Sequence, residues 1–155
     1  MARRFARNGR RQICHSGRGE VELKIHNPSD VWPVPAQFQQ IYSHAVETEL
    51  RTVRQIHVAG QVGVRPDGTV PADFASQCGQ AIENVEAVLR AGQMTMADVL
   101  RLTYYVVRRE DLPTLNEKRL ERWAGIRPAV TTLLVAGLVR TEFLIEIDVL
   151  AQRAL

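Results

Sequence analysis

Along residues 73–92 the apolar positions Phe74, Cys78, Ala81, Ile82, Val85, Val88 and Leu89 recur at a helical spacing, while Gln80, Glu83, Glu86 and Arg90 take the opposite side. That stripe predicts a helix from about Asp73 until Gly92 ends it. A shorter helix is expected in "EDLPTLNEKRLERWAG", with Pro113 in its first turn and Gly125 as its stop. Strand patterns cover Tyr42 to Thr48, Thr52 to Ala59, Val99 to Val107, Ala129 to Ala136 and Phe143 to Ala151. The segment "NPSDVWPVP" holds Pro28, Pro33 and Pro35 and therefore reads as an extended or looping lead-in. In "VRPDGTVP", Asp67-Gly68 is a turn signal.

The resulting order, β-β-α-β-α-β-β, predicts an α+β domain: one sheet with both helices on a single face. Strands such as "VTTLLVA" and "FLIEIDVLA" are apolar on both sides, so the other sheet face also needs cover. A chain of this length offers no third layer, which makes self-association the economical answer. Within "TEFLIEIDVLA" the alternation puts Phe143, Ile145, Ile147 and Val149 on one face and Leu144, Glu146, Asp148 and Leu150 on the other. Two carboxylates thus share a surface with two leucines, an expensive placement unless something pairs with them.

Composition narrows the class. The chain has 155 residues, 45% of them hydrophobic and 24% charged, which fits one globular domain, and no apolar run has membrane-spanning length. Its two cysteines, Cys14 and Cys78, form neither a CxxC pair nor a metal-ligand pattern, so no metal or cofactor is expected and a reducing, cytoplasmic compartment fits. Cys78 lies on the helical stripe and reads as core rather than nucleophile. Six arginines and one glutamate in residues 1–20 leave +5 there, and hence −2 for the remainder of a chain whose net charge is +3. The basicity therefore belongs to a segment without apolar periodicity, expected to be a disordered tail preceding a single domain over 21–155. A nucleic-acid partner ranks below a small molecule on that distribution.

The stretches "NPSDVWPVP…IYSHAV", "HVAGQVGVRPDGTVPADFASQCGQAIENVEAVLRAG", "TYYVV" and "RPAVTTLLVAGL…FLIEIDVLA" together resemble the Rid family, also called YjgF, whose best-known members are reactive-intermediate (imine) deaminases. The resemblance runs from about Val21 to Arg153. It implies a chorismate-mutase-like α+β fold, a homotrimer with sheets facing inward, and small-molecule clefts between subunits. Carried over residue by residue, the family's site falls on Tyr42, on Ala59 and Gly60 with Gln61 following, on Asn116 and on Glu146. Where deaminases of the family carry an arginine in "PAR(S/T)", this chain has Val130, in "RPAVT". A guanidinium there would grip a substrate carboxylate through two donors, so its replacement removes that handle.

These residues set the functional expectations. Glu146 is the candidate catalytic group, ordering a water for attack on a C=N carbon; Tyr42, Ala59, Gly60, Asn116 and Val130 are the candidate substrate contacts. Arg127 and Arg140 are the candidates to replace the missing guanidinium. His44 and His57 read as satisfied polar residues on strands, and Asp148 as a structural group facing a subunit seam, paired with an arginine or water. The leading function is a trimeric hydrolase of a small imine, enamine or related metabolite. Its alternatives are a non-catalytic trimer that binds a metabolite in the same clefts and, third, RNA cleavage or translation inhibition.

Overall fold

A computed structural model describes residues 10–16, 19–39 and 41–155. Its strands are β1 (Arg10–Ser16), β2 (Gly19–His26), β3 (Ala45–Leu50), β4 (Val53–Val62), β5 (Val99–Val106), β6 (Ala129–Leu134) and β7 (Ile145–Ala154); its helices are α1 (Phe74–Ala91) and α2 (Leu112–Trp123). All seven strands form one sheet in the order β1-β2-β3-β4-β7-β5-β6. Among the described residues only the β5–β6 pair is parallel, as expected where α2 makes the crossover between them. The α+β class and the two helices on one sheet follow the sequence reading.

The helix-facing side of the sheet is the core. Ile56 and Val58 of β4, Leu102, Tyr104 and Val106 of β5, and Ile145, Ile147, Val149 and Ala151 of β7 are buried against Cys78, Ile82, Val85 and Leu89 of α1 and Leu115 and Trp123 of α2. Asp73 caps α1 by accepting the Ser76 amide hydrogen at 2.8 Å, and Gly92 closes it. Gly125, at φ 86°, adopts the left-handed conformation just past α2.

Two polar side chains of α1 lie inside this core and fix the strands that matter below. Gln77 donates to the carbonyls of Pro71 and Glu142, both at 2.8 Å, and accepts the Leu144 amide hydrogen at 2.9 Å. Asn84 donates to the carbonyls of Val62 and Val64, each at 2.9 Å. The first residue thus anchors the start of β7, the second the end of β4. Each satisfies backbone groups that would otherwise be buried without partners.

The structure departs from the sequence reading at several ends. Residues 10–16 and 19–20, placed in a disordered tail, belong to the β1–β2 hairpin, which pairs from Arg10↔Ile25 to Ser16↔Gly19 and continues onto β3 through Leu23↔Thr48 to His26↔Ala45. A backbone ladder, not an apolar stripe, holds this segment to the sheet; residues 1–9, 17 and 18 lie outside the described residues. Tyr42 and His44 precede β3 instead of lying in it, because the Phe38 carbonyl takes the amide hydrogens of both Ile41 and Tyr42 at 2.9 Å. Phe143 is likewise turned out of β7 by its bond to the Arg140 carbonyl at 3.1 Å, while β7 runs on to Ala154 by pairing with Val53.

The hairpin is tied to the core through one buried carboxylate. Glu47 of β3 is 2% exposed and meets His26 Nε2 at 2.8 Å, Arg54 Nη1 at 3.3 Å and Lys24 Nζ at 3.7 Å. Burial holds the His26 pKa below its usual value despite Glu47, so the neutral ring donates to Glu47 and the two cations carry the charge compensation. Arg54 also donates to the Gly92 carbonyl at 3.2 Å, linking the cluster to the end of α1. Glu47→Ala strands these cations around an apolar hole, and a loss of about 3–5 kcal/mol is expected in denaturant unfolding. A loss under about 1 kcal/mol would show that the cluster is a bystander.

Candidate functional site

The site begins with a break in a ladder. Along β4 and β7 the pairing runs Val58↔Val149 and then Gln61↔Ile147, so Ala59 and Gly60 together oppose a single residue of β7. The Ala59 amide hydrogen turns to the His44 carbonyl at 2.9 Å, drawing the segment before β3 onto the bulge. Gln61 Nε2 donates to the Ala59 carbonyl at 2.9 Å and lies 3.3 Å from His44 Nδ1. His44 Nε2 meets the Trp32 carbonyl at 2.9 Å, so the proline-rich lead-in becomes a wall of the same structure. Tyr42 stands edge-on to the His44 ring, with centroids 5.7 Å apart.

Glu146 lies over this bulge. A Cβ built on Gly60 would fall 2.5 Å from Glu146 Cδ, so any side chain at this position would push the carboxylate away from the bulge. Burial pushes the Glu146 carboxyl above its ordinary pKa, and the Asp148 charge adds to the shift. Tyr42 is also pushed up, first by burial and then by Glu146, against a hydrogen bond with Gln61. It therefore remains a neutral phenol and a hydrogen-bond donor at neutral pH. Among the described residues no lysine or arginine is ion-paired with Glu146.

Asp148 is satisfied differently. The Tyr105 hydroxyl donates to its Oδ2 at 3.2 Å, and the Asp148 charge raises the Tyr105 pKa. Within its own chain its partner is therefore a phenol. No pattern in the chain singles out Tyr105: "TYYVV" puts Tyr104 and Tyr105 on opposite sides, but does not say which one meets the acids. Register decides, because Tyr105 pairs with Glu146 and Tyr104 with Ile147.

The same register separates Val130 from Glu146. Val130 pairs with Leu102, which is buried on the helix-covered face, and packs against the core. Glu146 and Tyr105 are on the opposite face. Within one chain, positions 130 and 146 therefore lie on opposite sides of the sheet. Asn116 is exposed on α2, on the helix side of the sheet, and Arg127 is exposed before β6. Arg140 is ion-paired with Glu142 and lies 5.1 Å from the Phe143 ring centroid. The single chain thus gathers Tyr42, His44, Ala59, Gly60, Gln61 and Glu146, with Tyr105 and Asp148 beside them, and leaves Asn116, Val130, Arg127 and Arg140 elsewhere. His57 lies exposed on β4.

Comparison with known proteins bears on this arrangement. Residues 35–153 match the family model described as Endoribonuclease L-PSP. A 2-iminobutanoate/2-iminopropanoate deaminase of Escherichia coli is 33% identical over 102 residues, spanning 63% of this chain and 79% of that protein. A RutC family protein of Pyrococcus horikoshii is 30% identical over 100 residues, with coverage of 63% and 79%. Escherichia coli TdcF, solved with bound serine, superposes with a TM-score of 0.72 at 25% identity, covering 84% of this chain and 98% of that one.

The electrostatics of Glu146 have a measurable sign. Its folded pKa lies above the unfolded value of 4.5, so ionisation costs the folded state, and that cost is present at neutral pH and absent in acid. Glu146→Gln should therefore melt at a higher temperature than wild type at pH 7, with the gap closing below pH 4.5. A variant less stable at pH 7 would mean that the carboxylate is structurally paired.

Proposed function

The chain belongs to the family described as Endoribonuclease L-PSP, the Rid or YjgF family, and from that membership we propose that it is a cytoplasmic, homotrimeric hydrolase that deaminates a small imine or enamine without a carboxylate handle. The observation that carries this reading is Glu146: half-buried, raised in pKa and poised over Gly60 beside the neutral Tyr42 phenol. Such a carboxylate can take a proton from water as its oxygen bonds to the C=N carbon, and pass a proton to the nitrogen. The carbinolamine then expels ammonia and leaves a carbonyl, consuming one water. The deaminase relative supports the imine class.

Assembly completes the site in this reading. The face bearing Glu146 also carries half-buried Leu150, and the edge strand β6 leaves Leu133 and Leu134 at 44% and 40% exposure. A neighbouring subunit covers both features. Asn116 and Val130 can then border a Glu146 cleft only across a subunit seam, since in their own chain they lie on the other side of the sheet. Light scattering should give about three times 17.5 kDa; a stable monomer would remove that cleft.

Val130 favours a second reading, a trimer that binds a metabolite without turnover. RNA cleavage remains third, since no feature of the Glu146 site selects a phosphodiester. The test offers the trimer imines generated in situ from primary amines and from amino acids. Faster hydrolysis of the amine-derived imine is expected, with a loss of about 100-fold or more in Glu146→Gln. Strong turnover of 2-imino acids would refute the missing handle, because another group would then hold the carboxylate. No turnover of either imine, with retained metabolite binding, would favour the second reading.

A further inference from the structure

His44 is 6% exposed, and the hydrogen bonds around it admit one protonation state. Its backbone amide donates to Asn27 Oδ1 at 2.8 Å, and its carbonyl accepts the Ala59 amide hydrogen at 2.9 Å. At the ring, Nε2 meets the Trp32 carbonyl, which can only accept, so Nε2 carries a hydrogen. Gln61 spends its amide nitrogen on the Ala59 carbonyl at 2.9 Å, and that same nitrogen lies 3.3 Å from His44 Nδ1. Nδ1 is therefore the unprotonated acceptor, and the ring is the neutral Nε2–H tautomer.

We propose that His44 is the positioning residue of this cleft, holding the Gln61 amide and the Tyr42 ring in the arrangement that presents the Tyr42 hydroxyl toward Glu146. The proposal rests on reading the bulge as the ligand cleft, but not on whether the cleft turns its ligand over. The ring does three things at once: it docks the lead-in through Trp32, orients Gln61 across the bulge, and backs Tyr42 edge-on at 5.7 Å. Protonation would break the arrangement. An Nδ1–H would oppose the Gln61 amide hydrogens, and turning the Gln61 amide over would set its oxygen against the Ala59 carbonyl. Around the ring stand Asn27, Trp32, Tyr42, Ala59 and Gln61, of which only Tyr42 titrates; Glu146 lies beyond Tyr42. Burial keeps the ring neutral by lowering its pKa below 6.5, against its bonds to Trp32 and Gln61.

The test reads the arrangement directly, by NMR on the full chain labelled with 15N in histidine rings and 13C at tyrosine Cζ. Wild type should show His44 as the Nε2–H tautomer, titrating below pH 6.5, with the Tyr42 signal moving at the same midpoint. His44→Phe keeps a ring but neither bond, and should shift the Tyr42 signal at neutral pH. In His44→Gln the side-chain amide can donate to Trp32 and accept from Gln61, and should restore the signal. In hydrolysis, His44→Phe should lose about tenfold in kcat with little change in KM, and His44→Gln should recover most of it. An Nδ1–H tautomer, or a Tyr42 signal indifferent to His44 in the wild-type titration, overturns the proposal even if neither variant folds. A Tyr42 signal that follows His44 in a protein that hydrolyses no imine upholds the positioning role and refutes the hydrolase reading instead.

Discussion

The alternation of side chains along β7 is the constraint on which the rest of the molecule depends. This strand lies between β4 and β5, antiparallel to both, so its register dictates which residues of three strands share a face. Ile145, Ile147, Val149 and Ala151 must face the helices, because the core closes only if they do. Glu146 and Asp148 then face the other way without choice. The chemistry is thus placed by hydrophobic burial, and the energy that keeps the carboxylate at its post is that of packing α1 against the sheet.

The polar interior of α1 refines that placement. Gln77 and Asn84 are buried in a helix face that is otherwise apolar, and both spend their side chains on backbone groups flanking the site. Replacing either by an isosteric hydrophobe would keep the volume and leave carbonyls without donors, a cost of about 1–3 kcal/mol. Their role is to fix the relative position of the β4 bulge and β7. The Glu47 cluster does the corresponding work at the other end of β4, where Arg54 reaches both Glu47 and the Gly92 carbonyl.

Much of this was legible in the sequence, and the illegible part has physical causes. The α1 stripe and its Asp73 and Gly92 ends were readable because a 3.6-residue period recurs over eighteen residues. Glu146 stood out because a carboxylate among leucines needs a reason, and Gly60 could be tied to it only through the resemblance. The β1–β2 hairpin was missed because strand pairing is a non-local backbone matter that an arginine-rich segment does not advertise. Tyr105 and the opposite facing of Val130 and Glu146 within one chain were not legible for one shared reason: alternation gives relative facing within a strand, while facing between strands depends on register. The role of His44 is three-dimensional in the same way, since its partners Trp32 and Gln61 lie 12 and 17 residues away.

The bulge at Ala59 and Gly60 has a consequence for how this chain can vary in length. Two residues of β4 stand where β7 has one, and that single extra residue sets the parity of everything from Gln61 to Val64 relative to the strands beside it. Deleting either residue would restore a regular ladder and send the side chains that now meet α1 to the opposite face. The link over residues 65–71 and the turn over 135–142 can lengthen or shorten without touching that parity. Insertions and deletions among descendants of this gene are therefore expected to collect in those two loops and to avoid the short stretch from Val58 to Gln61, which becomes the most length-intolerant part of the molecule.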